Sequence, residues 1–389
     1  MTQLICGNCH KVYDSSKHGR CPKCKRTTTQ FYEFSNSDDF LQAQIPKIER
    51  FRKDTGLQGL VKGLNCVIIN TEPENQRLAV KEILKNTGFS YGHSFQDTNN
   101  IITVLNANNS ADILVKSRKI DKNPFRSYNI RPKTQNFPNT RLESFVFEVL
   151  NLSKYVEIQK DQDVKFLTDI IDRDNYSFIQ TMPSKFIGTS YGFIQWHKNK
   201  GDYHPDEFKS TSSDIKKPDF EYLKNIKELD HTATRVKAQD RDSAIIEFMK
   251  LTNYKFDFAI YVNHLNSITN VARLSAKDFA MVFTSGITNY KNPEESGPTE
   301  RFTYNYGPRV HHMAFNTDKI EDSFEGLKAN GMDFLIQLVG SENEGLKQTF
   351  SVQSPNTLIV NEYIHRYGDF DGFFTRSNVT DLTRSTDKQ

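Results

Sequence analysis

RVHHMAFNTDKIEDSFEGL, residues 309–327, reads as a short apolar strand followed by an amphipathic helix. Three further strand-like runs come after it: MDFLIQLVG (332–340), LKQTFSVQ (346–353) and TLIVNEYIHR (357–366). The same order, one strand, one helix and three strands, recurs upstream. There it is spelled ELDHTATRV (228–236), DRDSAIIEFMKLTN (240–253), DFAIYVNHL (257–265), NVARLS (270–275) and FAMVFTSG (279–286). Two earlier units follow the pattern. One holds NCVIIN (65–70), the helix PENQRLAVKEILKNTG (73–88), IITVLN and DILVKS; the other holds RLESFVFEVL (141–150), a helix expected at VKFLTDIID (164–172), FIQTMPSKF and YGFIQWHK. Four β-α-β-β-β units in two tandem pairs predict an α+β protein made of two similar modules.

Proline-bearing polar segments mark the joints. KIDKNPFRSYNIRPKTQNFPNT (119–140) separates the first two units, and HKNKGDYHPDEFKSTSSDIKKPDF (197–220) separates the pairs. The resulting division is a small ribbon at 1–35, a helical connector at 36–59 broken by Pro46, a first module at 60–200, a linker at 201–224 and a second module at 225–389.

Composition narrows the class. Lys and Arg total 51 against 48 Asp and Glu in 389 residues, a near balance with no general pull toward nucleic acid or anionic membrane. No apolar run reaches membrane-spanning length, and MTQLICGNCH lacks the basic and apolar regions of a secretory signal, so a cytoplasmic location with no membrane partner is expected. In that compartment the two turns CGNC and CPKC, which place Cys6, Cys9, Cys21 and Cys24 around a hairpin-length loop, match a tetrahedral thiolate zinc site. Disulfides or a rubredoxin-like iron are the competing readings. A ribbon this small draws its folding free energy from the metal.

In the second pair, His231 and His312 stand on the opening strands of their units, and Glu362 stands on a closing strand. If the paired units curl into one half-open barrel, the three can converge. Two histidines and one carboxylate with open positions is the ligand set of non-haem Fe(II) oxygenases. Strand alternation sends the adjacent His311 and His312 to opposite faces, so only one of them can belong to such a site.

LDH around His231, NYGPRVHHMAFNTDKI around His312, LKQTF (346–350), NEYIHR around Glu362 and DGFF (371–374) resemble the 4-hydroxyphenylpyruvate dioxygenase family of the vicinal-oxygen-chelate superfamily. The resemblance implies two tandem vicinal-oxygen-chelate modules, the first metal-free and the second catalytic; the zinc ribbon is an addition to the family's usual pattern. It selects His312 over His311 as a ligand of Fe(II), beside His231 and Glu362. It also implies an aryl 2-oxo acid and O2 as substrates, 4-hydroxyphenylpyruvate to homogentisate with release of CO2 as the reaction, and a place in tyrosine catabolism. Gln348, Phe350, Phe373 and His311 would contact the substrate. Benzylic hydroxylation to a mandelate-type product is the sister outcome. A non-catalytic adaptor or ligand sensor, in which the ribbon is the working part, is the alternative from another class. Lys11, Lys17, Arg20, Lys23, Lys25 and Arg26 give that ribbon charge, but no interleaved aromatic series supports nucleic-acid binding. The ribbon's partner and any homo-oligomer are left open.

Internal comparison predicts that Cys66, Ser144 and Gln195 stand where His231, His312 and Glu362 do, with Cys66 a buried apolar residue. Departures from the family pattern cluster at the ring end of the substrate: His311 in place of a glutamine, Asn270-Val271 in place of Asn-Ser, and Gly297 in place of an amide. The family's closing helix is expected to be shortened to a polar tail at 375–389.

Overall fold

The computed structural model describes residues 3–6, 11–14, 17–18, 20–24, 31–96, 98–204, 209–210, 214–368, 370 and 372–389. Its architecture rests on two large sheets, one of nine strands and one of eight. Apart from the two-residue strand Lys209–Ser210 at the edge of the first, the two have the same strand order, and each curls into a half-barrel.

In the second sheet, strand Ile226–Arg235 opens one unit and runs parallel to that unit's last strand, Ala280–Ser285. Strand Arg309–Thr317 opens the next unit and runs parallel to its last strand, Val360–Arg366. A helix follows each opening strand and supplies the crossover that parallel pairing requires. The two opening strands lie antiparallel at the centre of the sheet. The first sheet repeats the plan around Val61–Thr71 and Arg141–Val149.

The two halves share a core. The Phe147 ring lies 5.8 Å from Phe248 and 5.4 Å from Tyr254, centroid to centroid. Arg141 donates to the Pro308 carbonyl, while Arg309, its counterpart, donates to the Thr140 carbonyl. Those reciprocal bonds give each of two fully buried guanidinium groups one carbonyl partner across the joint.

Several expectations need correction. The helix predicted at 164–172 lies instead at Leu152–Lys160, where the Asn151 side chain accepts from the Lys154 amide and caps the first turn. Helix Asp39–Thr55 runs unbroken through Pro46. It also packs on the second half of the chain: Arg52 donates to the carbonyls of Met249 and Tyr254, and Asp38 pairs with the buried Arg241. Residues 376–385, expected as polar tail, form a helix, Arg376–Ser385, whose Val379 and Leu382 are buried. No helix among the described residues is long and apolar enough to cross a membrane.

At the N-terminal end, Val12–Asp14, Gln3–Cys6 and Phe31–Glu33 form a small antiparallel sheet. The ligating atoms of Cys6, Cys21 and Cys24 lie within 4.8 Å of one another. The Cys6 and Cys24 sulfurs are 3.6 Å apart, close to the ~3.8 Å between thiolates sharing one tetrahedral zinc. Cys9, Lys25 and Arg26 lie outside the described residues.

Candidate metal centre

The strand order explains why three residues so distant in sequence meet. His231 pairs in register with Ala314, and Ala314 with Glu362, so His231 and Glu362 occupy one row across three strands with only a methyl group between them. His312 sits one pleat away on the central strand. Its Nε2 and that of His231 each lie 3.1 Å from Glu362 Oε2. Cis donors about 2.1 Å from a common octahedral ion are ~3.0 Å apart, so the donor set and its spacing fit a divalent metal. All three residues are buried.

Each imidazole is oriented by the residue before it. The His231 strand carries a bulge at Asp230, where the register jumps from Leu229 to His231; the His312 strand carries one at His311, where it jumps from His312 to Val310. The alternation expected for His311 and His312 therefore fails, because the extra residue turns the His311 ring toward the same side. Asp230 Oδ1 accepts from His231 Nδ1 at 2.7 Å, and His311 Nδ1 lies 2.9 Å from His312 Nδ1. His311 Nε2 contacts Gln389 Oε1 at 2.7 Å. With both rings neutral, His312 donates from Nδ1 to His311, His311 donates from Nε2 to Gln389, and His312 Nε2 is left as a lone pair facing Glu362.

Electrostatics support that assignment. Burial, reinforced by Arg235, holds His311 well below its ordinary value; burial and the His311 and His231 rings do the same for His312. Burial would lower His231 too, but Glu362 and Asp230 outweigh it and raise that ring to about 9. Burial pushes the Asp230 carboxyl up, yet the bidentate Arg366 guanidinium, at 2.6 and 3.0 Å, holds it well below the usual carboxylate range.

Above the triad lies a cavity of about 40 Å³. Phe350 and Gln348 line it, with the Phe350 centroid 4.7 Å from His312. The Gln348 amide donates to Glu362 Oε1 and accepts from Asn378, so here it holds the carboxylate. Phe374 lines the cavity, whereas Phe373 backs the His231 ring at 5.5 Å and has the Arg366 guanidinium 4.5 Å from its centroid. Asp371 of the DGFF motif lies outside the described residues. Helix Arg376–Ser385 covers the opening with Val379 and Leu382.

The three departures also have places. Asn270 turns away from the cavity to accept from Arg241 and donate to the Phe283 carbonyl. Val271 joins the buried apolar wall with Val282 and Phe373. Gly297 starts helix Gly297–Tyr306 at φ +70°, and a Cβ there would meet the Leu265 carbonyl oxygen at 2.1 Å, so backbone geometry accounts for it.

Sequence reasoning missed Asp230, Arg235, Thr284, Phe374 and Gln389. Arg235 was within reach, since residues 231, 233 and 235 share a strand face. The two bulges had no signal in the sequence.

Neither family models nor curated proteins match the sequence. Solved structures do match its shape. A variant of 4-hydroxymandelate synthase from Streptomyces coelicolor aligns over 85% of this chain and 99% of its own, with a TM-score of 0.64 at 14% identity. A fusion protein of a xylose isomerase-like TIM barrel and 4-hydroxyphenylpyruvate dioxygenase aligns over 90% of this chain with a TM-score of 0.60 at 10% identity. The chain spans 57% of that fusion's length. These likenesses establish the fold as two tandem vicinal-oxygen-chelate modules.

Proposed function

We propose that the chain is an Fe(II)-dependent dioxygenase of aryl 2-oxo acids, with residues 60–200 a metal-free module and 225–389 the catalytic one. The observation that carries this reading is the convergence of His231 Nε2, His312 Nε2 and Glu362 Oε2 beneath a cavity lined by Phe350 and Phe374. Bound there, Fe(II) would supply O2 activation and a chelation point for the 2-oxo acid. His231 and His312 would present lone pairs to it through the tautomers set by Asp230 and His311. Gln348 would occupy one Glu362 oxygen and leave the other for the metal, and the aromatic walls would seat the ring and exclude water. The conversion consumes one arylpyruvate and one O2 and yields one hydroxylated arylacetate and one CO2, with 4-hydroxyphenylpyruvate to homogentisate as its template.

Benzylic hydroxylation is kept as a second reading, because the matched structure aligned over nearly its whole length is a 4-hydroxymandelate synthase. The ribbon would hold zinc through Cys6, Cys9, Cys21 and Cys24.

Anaerobic reconstitution with Fe(II), followed by O2 uptake across a panel of arylpyruvates, tests the proposal. Uptake matched by CO2 release is the expected outcome. Absence of uptake with every 2-oxo acid, in protein shown to hold iron, overturns it.

A further inference from the structure

The end of the cavity away from the triad holds a buried charge that the reaction so far leaves without a task. Arg235 is 4% exposed and lines the same cavity as His312 and Glu362. It lies four residues beyond His231 on the same inward face, about 13 Å along the strand. Its guanidinium donates to Thr386 Oγ1 at 2.8 Å and reaches the Pro298 carbonyl at 3.4 Å, and it stacks over Phe302 at 4.7 Å. Among the described residues no carboxylate lies within ion-pair distance of it. Asp387, the acid that acts on it through space, is itself paired with Arg301.

The neighbours form a row. Arg235 is in register with Thr284, and Thr284 with Thr269, so three adjacent strands present one guanidinium and two hydroxyls at one level of the cavity wall. Thr284 Oγ1 is buried with no hydrogen-bond partner. A buried donor left unmet costs stability, so a structure that keeps one beside an unneutralised cation points to something else that accepts there.

The first half of the chain serves as an internal control. By the shared register, Lys116 stands where Thr284 does and Glu143 where His311 does. There the carboxylate is built in: Glu143, fully buried, pairs with both Lys116 and Arg118. At the same level the second half has Arg235 where the first has Asn70 and His311 where the first has Glu143, so a cation is present and, among the described residues, no carboxylate is paired with it.

We infer that Arg235 and Thr284 bind a second anionic group on the substrate, so that the substrate class is an aromatic 2-oxo acid bearing an acidic substituent, such as a ring carboxylate, at the end remote from the 2-oxo acid. This deepens the dioxygenase reading and rests on it. The metal takes the 2-oxo acid head and Arg235 takes the acidic tail. A neutral phenol would leave the guanidinium without a counter-charge.

Calorimetric titration of the full-length, Fe(II)-loaded protein under anaerobic conditions tests this with three probes: phenylpyruvate, 4-hydroxyphenylpyruvate and 4-carboxyphenylpyruvate. A charge-assisted contact should make the carboxylate bind at least about tenfold tighter than the other two. Arg235→Gln should bring the three within about twofold of one another, Arg235→Lys should keep part of the preference, and Thr284→Val should weaken the carboxylate alone by about threefold. Equal binding of the three probes by the parent protein overturns the inference without any variant having to fold. So does a preference that survives in an Arg235→Gln protein of unchanged melting temperature. If no arylpyruvate binds, the dioxygenase reading falls, and benzoate against benzyl alcohol then decides Arg235 separately: protection by benzoate that is lost in Arg235→Gln retains the anion site, and no protection removes it.

Discussion

The two halves of this molecule share strand order, register and even irregularities, yet one encloses a candidate metal site and the other a plug. The bulges at Asp230 and His311 have counterparts at Asn65 and Glu143, where the first sheet's register makes the same jumps. Register places Cys66 and Ser144 opposite His231 and His312 as expected, but the counterpart of Glu362 is Gly192, three residues from the expected Gln195. A Cβ at Gly192 would meet Val146 at 2.9 Å and Phe178 at 3.0 Å. Those side chains, with Cys66, Ile194 and Tyr203, fill the space that the second half leaves as a cavity. Burial pushes the Cys66 thiol up to about 12, which suits packing and not nucleophilic chemistry. The backbone is therefore a common scaffold, and the difference lies in a few side chains and in what occupies the interior.

Breaking the difference at its centre should have the largest effect. His231→Ala, His312→Ala or Glu362→Ala should each remove bound iron and lower turnover by roughly a thousandfold or more, as read by metal analysis and O2 uptake. The outer partners come next. Asp230→Asn and His311→Ala should weaken iron binding about ten- to a hundredfold while leaving a folded protein. A His311→Ala protein with unchanged iron affinity would show that the His312 tautomer is fixed by something else.

A pH series gives a smaller, graded effect. In metal-free protein the raised His231 pKa adds stability that is fully present below 6.5 and is lost as pH rises through about 9. Metal needs the deprotonated ring, so its affinity should run the opposite way, falling about tenfold per unit as pH drops below 9. A flat affinity between pH 7 and 9 would contradict the assigned proton. The smallest expected effect is in the plugged half: Gly192→Ala should cost about 1–3 kcal/mol of stability by overpacking and leave iron content unchanged, which thermal melting and metal analysis can check.

Much of this was legible before the structure. Repetition of the β-α-β-β-β order was enough for the fold class, because tandem units that cannot close alone must pair. His231, His312 and Glu362 could be picked out by residue type, strand position and resemblance. Their partners were hidden for physical reasons. A bulge inserts one residue without changing composition or the local apolar pattern, so Asp230 and His311 read as ordinary alternating positions. Helix Leu152–Lys160 was misplaced because YVEIQK continues an apolar strand run and its start is set by the Asn151 cap. Helix Arg376–Ser385 buries few apolar residues, and its polar letters concealed a cover over the cavity.

The connector helix Asp39–Thr55 has a consequence for how the chain is made. Its Leu41 and Ile48 are buried, and its Arg52 is bonded to residues some 200 positions later, at Met249 and Tyr254. During synthesis this helix leaves the ribosome early and its docking surface leaves late, a lag of roughly 10–40 s at ordinary elongation rates. All the strands of the first sheet, ending at Ser210, emerge within that interval, so this half can fold while the connector still exposes an apolar stripe. Vectorial synthesis thus leaves the apolar stripe of residues 39–55 uncovered until late, and final closure waits for a segment from the other half of the polypeptide.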